Sequence, residues 1–257
     1  MDDSCILWPK ARPECQLAAN SVHVLALELD VAQNTLDRLA GTLAPMERRR
    51  AASFHIDRDR NLLVAGRGAL RSILGRYLQA SPEAVALEYG PKGKPLLADR
   101  FARSGIHFNL AHSEDLALVA LAQGRDVGVD LERVRNLDDA EELASCFCAP
   151  SEFQEFRSVP EQGRSAAFFR IWTRKEAWLK ATGKGIGHWL DKVEVSFRAD
   201  ERPRFVKLPK ETATNAEGWN LQEFIPAPGF MAALAVPGEA PEISCWKFAE
   251  EEKFEYA

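Results

Sequence analysis

Two carboxylates one residue apart, Asp130 and Glu132 in the run GVDLER, are the first candidates for chemistry in this 257-residue sequence. Side chains alternate along a strand, so Val127, Val129 and Leu131 point one way and the two acids point the other, about 7 Å apart. Oxygen donors at that spacing suit a hard cation. A strand with one buried and one solvated face offers the same pattern, so a third acid is needed before a metal is inferred. The run FFRIWTRKEAWLKATGKG supplies one. On a helix, Glu176 and Lys180 fall one turn apart on one face, with Trp172 a turn before them. An exposed ion pair would use the same spacing, but two tryptophans and two phenylalanines crowd this segment. A helix this apolar is expected to be buried, and a buried Glu and Lys require each other, a metal or a phosphate.

A third group lies in FNLAHSED, where Asn109, His112 and Ser113 end a strand and can face a cleft. A Ser-His-Asp hydrolase is the competing reading, but there is no G-x-S-x-G elbow. P-loop and dinucleotide fingerprints are absent too. Residues 47–76 hold eight arginines (48, 49, 50, 58, 60, 67, 71, 76) against three acids (47, 57, 59), a balance of 8 − 3 = +5. A solvated helix face accounts for part of that charge, and a phosphate-rich ligand would account for the rest. The whole chain carries −5, which excludes a generally basic nucleic-acid binder.

The elements that must position these groups repeat. VHVLAL from Val22 lies over VGVDLE from Val127 at an offset of 105, and Ala44-Pro45-Met46-Glu47 then lies over Ala149-Pro150-Ser151-Glu152. Both tetrapeptides read as helix starts, with Pro where no N–H is needed and Glu in the first turn. The same offset puts Arg67, Leu70, Arg71 and Leu74 on Trp172, Lys175, Glu176 and Leu179, and a slightly larger one pairs FNL at Phe108 with WNL at Trp219. Each half reads strand, helix, long helix, strand, strand. The first runs through a strand Val22–Leu29, a helix Asp57–Leu78, an exposed turn Gly90–Pro95, and strands near Ile106–Leu110 and Leu116–Leu121. The second runs through Val127–Glu132, a helix Ser165–Thr182, and strands near Val193–Phe197, Asn220–Phe224 and Phe230–Val236, with a frayed tail AEEEKFEYA. The expected architecture is α+β: two similar halves, 1–123 and 124–257, forming a pseudo-dimer with the site between them.

No apolar run approaches membrane-spanning length; the longest, Leu116–Ala122, has seven residues. The acidic start MDDSC does not read as a signal peptide. Five scattered cysteines (5, 15, 146, 148, 245) read as reduced thiols, which fits the cytoplasm.

Taken in order, KGKP (Lys92–Pro95), FNLAHS, GVDLER and WTRKEAWLKATGKG resemble the signature set of the Sfp-type 4'-phosphopantetheinyl transferases. The resemblance covers nearly the whole chain, and length and arrangement are similar to the cyanobacterial members. It implies two α+β halves with coenzyme A bound between them, and transfer of its 4'-phosphopantetheine to a serine of an apo acyl or peptidyl carrier protein, releasing 3',5'-ADP. It further implies Mg2+ held by Asp130, Glu132 and Glu176. Lys180 would reach the phosphates and pantetheine, with Lys175 near it. Arg50 would contact the 3'-phosphate, and Lys92, Lys94, Asn109 and His112 would hold the nucleotide. Glu176, or a water beside it, would take the serine proton. No nucleic acid, membrane or second subunit is called for. Ala111 departs from the family's serine in F-N-x-S-H-S, which implies a lost hydrogen bond on the nucleotide side. Two other classes use such residues differently: a Mg2+-dependent phosphohydrolase with water as the attacker, and a non-catalytic module that docks carrier proteins.

Overall fold

The structure, a computed structural model, describes residues 8–9, 16–185, 187–209 and 216–248. Cys5, Cys15, the acidic start and the tail AEEEKFEYA lie outside the described residues. The first half contains β1 (Ser21–Glu28), α1 (Gln33–Thr42), α2 (Pro45–Ala52), α3 (Asp57–Leu78), the small hairpin β2 (Leu87–Tyr89) and β3 (Pro95–Leu97), then β4 (Ile106–Ser113) and β5 (Leu116–Gln123). The second contains β6 (Gly128–Arg133), α4 (Ala140–Ser145), α5 (Pro150–Arg157), α6 (Glu161–Thr182), the hairpin of β7 (Glu194–Val195) and β8 (Phe205–Lys207), then β9 (Trp219–Phe224), β10 (Phe230–Pro237) and β11 (Glu242–Lys247).

Two sheets carry the fold, in the orders β11-β1-β5-β4 and β6-β10-β9. Period-two alternation gives each strand two apolar faces, which is why the elements stack as helix, sheet, sheet, helix. Leu25, Leu27, Val119 and Leu121 face α1 and α3. Val22, Val24, Leu118 and Ala120 face Val129, Leu131, Leu234 and Val236 of the other sheet, closing a core between the halves. Ala233 and Ala235 face α6. The two acids of β6 project from the face opposite Val129 and Leu131, on the α6 side.

The expected α+β pseudo-dimer is the observed fold, with differences in detail. Helix α6 begins at Glu161, four residues before the expected Ser165, behind Pro160 at its N-cap. The expected strand Val193–Phe197 shortens to Glu194–Val195, with a register irregularity where it meets β8. Strand β11, which periodicity did not reveal, pairs in parallel with β1, so the first sheet includes a strand from the end of the chain.

The repeat is also re-registered. The short helices obey the offset of 105 (45 to 150), but the long helices run 57–78 and 161–182, an offset of 104. Arg71 therefore corresponds to Lys175, not to Glu176. The interactions agree. Glu47 accepts the amide proton of Ala44 at its helix start and pairs with Arg71 at 2.7 Å. Glu152 accepts that of Ala149 and pairs with Lys175 at 2.5 Å. Each cation also donates to two backbone carbonyls, Arg71 to Pro82 and Val85, and Lys175 to Phe147 and Leu190. Both pairs are almost fully buried, so these extra bonds are what make a buried charge tolerable.

Candidate functional site

A cleft of about 830 Å³ opens between the halves, lined by Arg50, Arg67, Lys92, Lys94 and His112 from the first and by Asp130, Glu132, Glu176 and Lys180 from the second. Strand β6 and helix α6 bring the acids together because Gly128 lets them touch. A Cβ on Gly128 would collide with the Ala177 carbonyl and the Ala181 amide. Without a side chain there, β6 crosses α6 closely and aims Asp130 toward the helix face carrying Glu176 and Lys180.

The three carboxylates are neighbours without forming a closed set. Asp130 is 3% exposed and pairs with the Lys180 ammonium at 2.5 Å. Glu132 accepts from Trp172 Nε1 at 3.2 Å and from Ser113 Oγ at 3.1 Å. Glu176 is 6% exposed. Burial, then the Asp130 charge, push its carboxyl pKa up to about 7, against the pull of Lys180. Burial also raises Asp130 and Glu132. Among the described residues no three acidic, His or Cys groups stand ready as a metal cage. The cluster nonetheless fits a divalent cation. Asp130 Oδ2 and Glu176 Oε1 are buried without a hydrogen-bond partner, and such oxygens require a cation or a proton.

The first half supplies positive charge. His112 stands in the cleft, its pKa lowered by partial burial and then by Lys180, Arg67 and Arg50. Lys94 donates to the Ala181 carbonyl at 2.9 Å, capping the last turn of α6 from across the cleft. Lys92 is exposed beside Gly185. Arg67, which spacing alone did not single out, lies against the Tyr89 ring at 5.8 Å with one guanidinium nitrogen buried and without a hydrogen-bond partner. The signal that would have found it is the helix face: Leu62, Leu63, Gly66 and Arg67 all line the cleft.

One expectation requires correction, and two residues take on a second role. Lys175 is not in the cleft; it is fully buried in the ion pair with Glu152, because the neighbouring positions 175 and 176 face different sides of α6. Asn109 lines the cleft, and its carboxamide oxygen also accepts the Val129 amide proton at 2.9 Å. Ala111 is buried between the sheets and also lines the cleft, so its departure from serine falls where the joint between the halves meets the cleft.

Sequence comparisons agree with this arrangement. Residues 126–234 match the 4'-phosphopantetheinyl transferase superfamily, and residues 31–124 match the 4'-phosphopantetheinyl transferase N-terminal family. The chain is 40% identical to the 4'-phosphopantetheinyl transferase HetI of a Nostoc species, over 94% of this chain and 98% of that one. It is 39% identical to a putative 4'-phosphopantetheinyl transferase of a Synechocystis species, over 67% of this chain and 69% of the other. On this likeness over 94% of its length, the chain belongs to the 4'-phosphopantetheinyl transferase superfamily, enzymes that move the phosphopantetheine moiety of coenzyme A to carrier proteins.

Proposed function

We propose that the chain is a Mg2+-dependent transferase that moves 4'-phosphopantetheine from coenzyme A to a serine of an apo acyl or peptidyl carrier protein. The observation that carries this reading is the division of charge across one cleft: cations from the first half, three carboxylates from the second, and two buried carboxylate oxygens lacking partners. Asp130, Glu132 and Glu176 would hold the ion, whose contribution when bound is to neutralise the pyrophosphate. Arg50, Arg67, Lys92, Lys94 and His112 bind and orient the nucleotide and its phosphates, and Lys180 adds charge where the pyrophosphate lies. The carrier serine Oγ attacks the β-phosphorus, and the bond to the leaving 3',5'-ADP breaks. Glu176, or a water beside it, takes the hydroxyl proton.

Both sides of the cleft come from one chain, which supports a monomer. Among the described residues no helix is long and apolar enough to cross a membrane, and with the reduced thiols of Cys146, Cys148 and Cys245 this favours a cytoplasmic enzyme. The test is to incubate the protein with Mg2+, coenzyme A and an apo carrier, then weigh the carrier. A gain of phosphopantetheine supports the transferase. Free 4'-phosphopantetheine would point to a hydrolase, and neither product to a docking module.

A further inference from the structure

Strands β4 and β6 are facing edges of different sheets, and among the described residues no backbone ladder joins them. Two side chains of β4 cross the gap instead. Asn109 Oδ1 accepts from the Val129 amide at 2.9 Å, and Ser113 Oγ accepts from the Arg133 amide at 3.0 Å. Each strand advances four residues between the contacts, so they are two rungs of one ladder roughly 13 Å apart. Outward amides alternate along an edge, which makes those of Val129, Leu131 and Arg133 the ones that need partners. The middle one, Leu131, interacts with the carboxylate of Asp130, and Ala111, between the two rungs on β4, has no polar side-chain atom to offer.

Ser113 has a further task. A hydroxyl has one proton and two lone pairs. Here it accepts from Arg133 and donates to Glu132 Oε2 at 3.1 Å, while the other oxygen of Glu132 accepts from Trp172 at 3.2 Å. One donor from each half therefore sets the plane of this carboxylate. Asp130 and Glu176 each keep an oxygen without any such donor.

We propose that Ser113 is a positioning residue: by bonding the Arg133 amide and the Glu132 carboxylate at once, it ties the joint between the halves to the geometry of the cation site. Asn109 is the second rung of that joint. The inference rests on the cation reading of the cleft. It goes beyond that reading in making cation affinity, rather than nucleotide affinity, depend on a residue that touches neither ligand.

The test compares Ser113→Ala and Ser113→Thr with the wild-type full chain. Without metal, amide exchange at Arg133 is expected to quicken at least tenfold in S113A and to return toward wild type in S113T. Titration calorimetry with MgCl2 or MnCl2 alone is expected to show about five- to twentyfold weaker binding in S113A, again restored by Thr. The KM for coenzyme A at saturating Mg2+ is expected to stay within about twofold. Wild-type cation affinity in S113A, unchanged exchange at Arg133, or equal losses in cation affinity and coenzyme A KM would each overturn the proposal. A wild-type protein that binds neither ion overturns the cation reading itself, which separates that failure from one confined to Ser113.

Discussion

The long helix of each half carries a buried cation paired to the glutamate at the preceding helix start, yet only α6 carries an acid beside that cation. Glu176 follows Lys175, whereas Ser72 follows Arg71. The strands differ in the same sense. At the 105-residue offset, Asp130 and Glu132 of β6 correspond to Leu25 and Leu27 of β1, both in the core against α3. Gly128 corresponds to His23, a ring that hydrogen-bonds Tyr77 at 2.6 Å and stands where β6 and α6 touch in the second half. The scaffold interaction is kept in both halves, while the chemistry is divided. One half keeps the acids and the close strand–helix crossing, and the other faces them with arginines, lysines and His112. A pair of residues repeated in both halves is thus evidence of structure, and an asymmetric pair is evidence of function.

Breaking the asymmetric residues should have the largest effect. Asp130→Asn and Glu176→Gln are expected to lower carrier modification by roughly a thousandfold while staying folded, because charge on the pyrophosphate is then unneutralised. Ser72→Ala, the corresponding change in the other half, should leave the rate within about twofold. Near-normal transfer in either acid variant, read by carrier mass, would make the acids structural.

The symmetric residues should fail differently. Glu47→Ala and Glu152→Ala each strand a buried cation, and each is expected to cost about 3–5 kcal/mol in chemical denaturation. Similar losses sharpen the equivalence, whereas a loss confined to Glu152 would tie that pair to the site.

A smaller effect follows from pH. The Glu176 carboxyl lies near 7 against an ordinary 4.5. Its folded value is raised, so the folded state binds the proton more tightly and loses stability as pH climbs through that interval, by roughly 3 kcal/mol without metal. Glu176→Gln should flatten that slope, and an unchanged slope would place the titration elsewhere. The smallest effect belongs to the cationic half. Arg50→Ala is expected to raise the KM for coenzyme A about tenfold and to narrow the preference over dephospho-coenzyme A, since no equivalent donor replaces a lost guanidinium. Equal behaviour with both donors would remove Arg50 from the phosphate site.

Much of this was legible in the sequence. Alternation in GVDLER gave the face of Asp130 and Glu132, and helical spacing gave that of Glu176 and Lys180, because both periods are rigid properties of the backbone. The position of Lys175 was not legible. A one-residue change of offset between the short and long helices turns the side chain by about 100°, and only the buried glutamate reveals the register. The bond from the Val129 amide to Asn109 was not legible, because nothing local shows that the opposite edge strand brings unpaired amides to it. Strand β11 was missed because EISCWK is partly exposed along its length, so neither face repeats cleanly, and its partner is distant in sequence.

That last strand constrains how the molecule is made. Ser21 of β1 is matched to Glu242 of β11 across 242 − 21 = 221 residues, so the outer edge of β1 stays open until those residues have left the ribosome. An open edge with apolar residues on both faces invites pairing with another chain. The first half, although its own helices can form early, must wait for β11 before its sheet is sealed.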